Sequence, residues 1–137
     1  MPVPDAAQTC HQELNERTRA LKKFNQPASG LVVPRFGGIA TFMRLPHVTL
    51  DEAKDLDIGL VGIPWDGGTT NRPGPRHGPR QMRDQSSMVR RMHQTTHIVP
   101  YDLANIADLG DCSVNPASVD DALARVDLRD LPGLAEW

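Results

Sequence analysis

Apolar positions in this chain come in short runs, and the densest is Ile58, Leu60, Val61 and Ile63, broken only by Gly59 and Gly62. Such a run, without alternation, predicts a strand over Asp57–Ile63 that is buried on both faces, as in a parallel sheet. Pro64 ends it, because proline cannot donate to a ladder. From Trp65 to Gly78, four glycines and two prolines stand among Asp66, Asn71, Arg72, Arg76 and His77. That composition forbids a regular element and gathers polar side chains. Pro79 then suits the first turn of a helix, and Met82, Gln85, Ser86, Val89 and Met92 recur at helical spacing. The helix is expected to end near His93, before Thr95, Thr96 and Pro100. Arg80, Arg83, Arg90 and Arg91 fall outside the apolar stripe and read as its solvated face. The order is strand, loop, helix, and the loop leaves the carboxyl end of its strand, where open parallel sheets hold ligands.

The flanking segments are less regular. Residues 1–33 read as a mobile extension, because the polar stretch to Lys23 offers only Leu14, Thr18 and Leu21 as a weak helical face; docking of this extension on a neighbouring subunit is the alternative. His11 within it reads as a solvated histidine. Residues 34–48 combine Phe36, Ile39, Phe42, Met43, Leu45 and Val48 with two glycines and two prolines, a packed irregular segment covering one face of a sheet. Arg44 inside that run must find a partner or reach solvent. Leu50–Leu56 reads as an exposed helical turn. A second strand is expected over Asn105–Leu109, broken by Gly110 and Asp111. Ser118 and Asp121 resemble a capping box before a helix carrying Val119, Ala122, Leu123 and Val126.

Composition narrows the class. The length of 137 residues suits one domain, and a net charge of −2 supplies no field for nucleic acid or an anionic membrane. Cys10 and Cys112 stand far apart, so no disulfide framework or zinc motif is suggested and a reducing cytoplasm is expected. The first residues lack the basic and apolar regions of a signal peptide, so none is expected, and nowhere do about 18 apolar residues run together. With 11 glycines, 12 prolines and few aromatic residues, loops outweigh packed elements.

Candidate chemistry is sparse. The glycines at 67, 68, 74 and 78 match neither a Walker loop nor a dinucleotide fingerprint. Asp66, His77, His93, Asp108 and Asp111 are the residues from which a metal site would be assembled, yet no pair has a spacing that forces convergence. Asp66 and Asp111 read equally as turn residues, and His93 as a cation at a helix C-terminus. No serine or cysteine stands in a nucleophile elbow, and no paired carboxylates suggest acid–base work.

The segments PRFGGIATFMRLPHV, DIGLVGIPWDGGTTNRPGPRHGPRQMRDQSS and IADLGD, in this order and spacing, resemble the N-terminal part of the agmatinase-type ureohydrolases, closest to the guanidinobutyrase-like branch. The resemblance covers roughly residues 34–126. It implies an α/β chain, the N-terminal part of a three-layer α/β/α arginase-like fold with parallel strands flanked by helices. It also implies a dinuclear manganese, sometimes nickel, chemistry that hydrolyses a guanidino C–N bond and releases urea. In that family the metals are held by Gly-Gly-Asp-His, Asp-Ala-His-x-Asp and Asp-x-Asp segments; the first two do not occur in the 137 residues, and an Asp-x-Asp occurs only as Asp55-Leu56-Asp57, entering the first expected strand and without the other two. No catalytic residue, metal ligand or cofactor is therefore expected in this chain. Residues 127–137 depart from the family and read as a divergent tail.

Two function classes follow. One is a truncated ureohydrolase chain, inactive alone, whose longer relatives act on a guanidino compound such as guanidinobutyrate or agmatine. The other is a non-catalytic binding or regulatory subunit that docks on an intact ureohydrolase, as a homo- or hetero-oligomer. In a full-length form Asn71, Arg72, Arg76 and His77 of the entrance loop are the expected substrate contacts. An arginine fork pairs a carboxylate and repels the ammonium of agmatine, whereas pairing of Arg72 and Arg76 with Asp66 or Asp84 would make them structural.

Overall fold

Two short parallel strands organise the computed structural model, which describes residues 24–127. Strand β1 spans Ile58–Gly62 and β2 spans Ile106–Asp111. Ile58 lies opposite Ile106, Gly59 opposite Ala107 and Leu60 opposite Asp108, but Gly62 lies opposite Asp111. One extra residue is thus accommodated in β2 after Asp108, at a bulge where Gly110 takes a φ of 81°. The strand therefore runs through Gly110 and Asp111, which were expected to break it.

The second edge of β2 is also bonded. Asp108 N donates to Pro46 O at 3.0 Å, and Val48 N donates to Asp108 O at 3.0 Å. β1, in contrast, has backbone partners on one edge only among the described residues. This asymmetry corrects the expected burial. β2 is the buried strand, with Ile106, Ala107 and Asp108 inaccessible, while Ile58 and Gly59 of β1 are exposed and Leu60 and Val61 half-buried. A continuous apolar run indicates a central strand, and among the described residues β1 has no second neighbour that would make it one.

Successive residues of β2 feed two cores. Ile106 packs with Leu45 and Tyr101, joined by Met43, Leu60, Val99 and Ala104. Ala107 points the other way, to Ala53 and Leu56, with Val48 and Leu109 beside them. The second core is roofed by a 3-10 helix over Leu50–Asp55, entered through Thr49, whose N–H and Oγ1 both donate to the Glu52 carboxylate at 3.0 Å. Backbone and side-chain donors of Thr49 hold the Glu52 carboxyl below its ordinary range.

A 3-10 turn over Pro75–His77 leads directly into helix α1, Gly78–Ser86. The helix stops seven residues short of the expected end at His93, because Ser87, Met88 and Val89 all donate three residues back and tighten its last turn. Its periodic apolar residues are not the buried face either. Met82, Val89 and Met92 are exposed, and Arg83 is buried. Helix α2, Val119–Val126, starts where expected, and Ser118 Oγ accepts from Asp121 N at 3.3 Å.

Of the extension expected over residues 1–33, residues 1–23 lie outside the described residues, with His11 and the Leu14, Thr18, Leu21 face. Residues 24–33 are bonded to the body: Asn25 N donates to Asn105 Oδ1 at 2.8 Å, Gln26 Nε2 to Tyr101 O at 2.7 Å and Ala28 N to Arg44 O at 2.9 Å. Arg44 finds its partner in Val33 O, at 2.6 Å. Arg44 and Met43 both have positive φ, 61° and 51°, held by Met43 N on Ser86 Oγ at 2.8 Å and by the Tyr101 hydroxyl on Met43 Sδ at 3.3 Å. The tail expected from 127 lies outside the described residues from 128 onward. No helix among the described residues is long and apolar enough to cross a membrane.

Candidate functional site

The loop after β1 is folded around one carboxylate. Asp66 closes a turn through its carbonyl, which accepts from Thr69 N at 3.0 Å, and its side chain is buried. One carboxylate oxygen accepts from Gly74 N at 2.8 Å and the other from Arg76 Nε at 2.6 Å. The Arg76 hydrogen bond and then the Gly74 N–H draw the carboxyl down to about 2, and Asp66 raises Arg76 in turn. Gly74 sits at a φ of 133°, a backbone shape that only glycine adopts easily, and so turns its N–H within reach of Asp66. Trp65 lies over Gly67 so closely that a Cβ there would collide with the indole ring.

A cleft of about 330 Å³ opens at the carboxyl ends of the strands, lined by Trp65, Asp66, Arg76, His77, Val114 and Pro116 as well as Pro64. Two of the four residues expected at the site, Arg76 and His77, are brought together there beside an aromatic wall. Arg76 is half-exposed, but its Nε and one terminal nitrogen are engaged with Asp66. Asn71 and Arg72 are not among the cleft's walls. They stand exposed at the loop tip, where, as at His77, their side chains make no hydrogen bond among the described residues.

A second cluster went unrecognised in the sequence. Arg83, read as solvated, points from α1 into the end of β2. Its Nε and one Nη bond the two oxygens of Asp108 at 2.8 and 3.0 Å, that Nη also reaches Gly110 O at 2.7 Å, and the other Nη reaches Asp111 at 2.6 Å. The guanidinium lies 4.3 Å from the Phe42 ring centroid. Asp108 also accepts from Phe42 N and Gly110 N, at 2.9 and 2.8 Å. Burial pushes the Asp108 carboxyl up, but Arg83 and the two N–H groups outweigh it and hold the group low; Asp108 and Asp111 raise Arg83 despite burial. The signal that finds Arg83 is its place four residues after Pro79. Pro79 Cβ lies 2.7 Å from where a Gly62 side chain would begin, so that face of the helix meets the sheet.

The carboxylates weighed as metal ligands are thus committed elsewhere: Asp66 to Arg76, Asp108 and Asp111 to Arg83. His93 Nδ1 bonds Thr96 Oγ1 at 2.9 Å. Among the described residues no group of three or more His, Cys, Asp or Glu side chains is placed to hold a metal ion. The donor set of residues 24–127 does not fit the metal centre that the resemblance implies.

Comparison with known proteins agrees with this architecture. The chain is 53% identical over 102 residues to the guanidinopropionase of Pseudomonas aeruginosa, covering 74% of this chain and 31% of that protein. It is 48% identical over 95 residues to the guanidinobutyrase of the same organism, covering 69% and 30%. The mitochondrial agmatinase of Gallus gallus is 43% identical over 108 residues, covering 79% and 31%. The chain therefore spans about 30% of the length of these curated relatives. The solved structure of proclavaminate amidino hydrolase from Streptomyces clavuligerus superposes with a TM-score of 0.63 at 36% identity, over 67% of this chain and 30% of that one. That match gives an arginase-type α/β fold, and residues 56–129 match the model of the arginase family. With more than half of its length inside that match and both strands and helix α1 within it, the chain belongs to the arginase family.

Proposed function

We propose that this chain forms the substrate-admitting portion of a ureohydrolase acting on a guanidino acid, and that it does not complete the hydrolysis alone. In that reaction water adds to the guanidino carbon, the C–N bond to the substrate amine breaks, and urea and an ω-amino acid leave. The observation that carries the reading is the unequal state of the loop cations. Arg76 is fastened to Asp66 and shapes the loop, whereas Arg72 projects from the tip without a hydrogen-bond partner among the described residues. A free guanidinium pairs a substrate carboxylate and repels an ammonium. Support for a guanidino acid also comes from the similarity to a guanidinopropionase and a guanidinobutyrase, which are more similar here than the agmatinase. Asn71 and His77 flank Arg72 and Arg76 as further polar contacts.

The manganese or nickel that such hydrolysis employs requires donors beyond residues 24–127, because Asp66, Asp108 and Asp111 are held by arginines and no three His, Cys, Asp or Glu side chains converge among the described residues. A cytoplasmic setting fits the widely separated cysteines. Grafting residues 65–78 onto an intact agmatinase should shift its preference toward guanidino acids. In the graft, Arg72→Ala should raise KM for the acid about tenfold, the equivalent of ~1.4 kcal/mol, with kcat little changed. An unaltered preference for agmatine would reject the role of Arg72, and urea release by the purified 137-residue chain would reject its incompleteness.

A further inference from the structure

The two strands end alike. Gly62 lies opposite Asp111, and Cys112 N donates to Gly62 O at 2.9 Å, so the pairing continues one residue past β2. Each chain segment then closes a three-residue turn, in which Trp65 N donates to Ile63 O and Val114 N to Cys112 O, both at 2.9 Å. Trp65 and Val114 thus stand at matching places in two different loops, three residues beyond the paired Gly62 and Asp111. Both are half-buried, and both line the cleft of about 330 Å³, with Pro64 and Pro116 beside them. Neither is loosely held. The Trp65 indole is packed on Gly67, and the loop of Val114 is tied by Arg125 Nη1 to Ser113 O at 3.4 Å and by Ala117 N to Asn115 Oδ1 at 3.0 Å.

The rest of the lining is polar. Asp66 is committed to Arg76, but the second terminal nitrogen of Arg76 and the His77 imidazole have no hydrogen bond among the described residues. A preformed apolar slot with unengaged donors among its walls fits a short hydrocarbon chain that ends in an anion. Closure by more apolar protein would strand those donors. We infer, building on the guanidino-acid reading above, that this slot seats the methylene chain of the acid and that Val114 sets how long that chain is. Arg72 meets only the carboxylate, so it separates an acid from agmatine but not a propanoate from a butanoate. The slot supplies that distinction. Each methylene seated against Trp65 and Val114 leaves water and raises affinity about fourfold, the equivalent of ~0.8 kcal/mol, until the room is used up and the next one is excluded.

The test is fluorescence titration of the full chain carrying Trp137→Phe, which leaves Trp65 as its one tryptophan, with ω-guanidino acids of one to four methylenes. Three proteins are compared: that chain, and the same chain with Val114→Ala or Val114→Leu, all with the same far-UV circular dichroism. The expected result is a dissociation constant that falls about fourfold per methylene to an optimum, which moves one methylene longer in Val114→Ala and one shorter in Val114→Leu. No response of Trp65 to any acid, affinity indifferent to chain length, or one optimum shared by all three proteins would each overturn the assignment. Arg72→Ala separates this outcome from the role given to Arg72: it should weaken every acid by a common factor and leave the optimum in place. Undiminished affinity in that variant, with the Val114 shifts present, would remove Arg72 as the partner of the carboxylate and keep the slot.

Discussion

Arg83 holds both carboxylate oxygens of Asp108, 25 residues away, at 2.8 and 3.0 Å, and this pair ties helix α1 to the most deeply buried strand. Neither charge has water to fall back on. Removing one partner strands the other, so Arg83→Met and Asp108→Ala should each cost about 3–5 kcal/mol in urea unfolding. The double variant should cost less than the two together, by more than ~0.5 kcal/mol, because one loss is shared. Strict additivity would show the pair to be uncoupled. Arg83→Lys should not restore stability, since an ammonium cannot span Asp108, Asp111 and Gly110 O at once.

Asp66 predicts an acid-sensitive loop. Its carboxyl is lowered from 3.8 to about 2 by Arg76 and the Gly74 N–H, so the folded state favours the ionised form. The stabilisation is fully present above the unfolded value, near pH 4, and is lost as pH falls through about 2. Asp66→Asn should therefore be less stable than wild type at neutral pH, with the difference shrinking from pH 4 downward and closing near pH 2. A gap independent of pH in thermal melts would contradict this.

The glycines of β1 and its loop are not equivalent. A Cβ at Gly62 would strike an Asp111 carboxylate oxygen and lie 2.7 Å from Pro79 Cβ, whereas a Cβ at Gly68 meets nothing within 4 Å. Gly62→Ala should cost about 1–3 kcal/mol by overpacking, and Gly68→Ala should be neutral or stabilise by up to about 1 kcal/mol. Equal effects on thermal midpoint would remove the distinction.

Two local features carry simple expectations. Ser118→Ala should destabilise by about 0.5–2 kcal/mol through loss of the cap on α2. His97 holds a φ of 54° with its side chain exposed, so His97→Gly should raise stability by roughly 0.5 kcal/mol as the left-handed strain is relieved. Chemical denaturation reads both.

The strand–loop–helix order, β2 and the start of α2 were legible because each rests on local signals: an apolar run, a glycine- and proline-rich break, a capping serine. The burial of Arg83 was not legible, because its place four residues after Pro79 marks a buried face only once Pro79 is seen against Gly62, and its two aspartates are brought alongside only by the pairing of β1 with β2. The same holds for the loop. Its glycines announced a turn, but only the fold shows that Asp66 selects Arg76 and leaves Arg72 at the tip. β1 was read as central because Ile58, Leu60, Val61 and Ile63 suit a strand with two neighbours, and one of those neighbours is not supplied by residues 24–127.

The extra residue in β2 makes the chain unevenly tolerant of changes in length. The segment from Asp66 to Gly74 is closed by a hydrogen bond spanning eight residues, and doubling such a loop costs only about 0.6 kcal/mol of closure entropy, so insertions at its tip are affordable in evolution. Deletion of Gly110 is a different event. It would straighten β2 and remove the bulge that sets both the N–H bonded to Asp108 and the carbonyl held by Arg83. Lineages descending from this sequence should therefore vary freely in the length of the entrance loop while keeping the count of residues between Asp108 and Asp111 fixed.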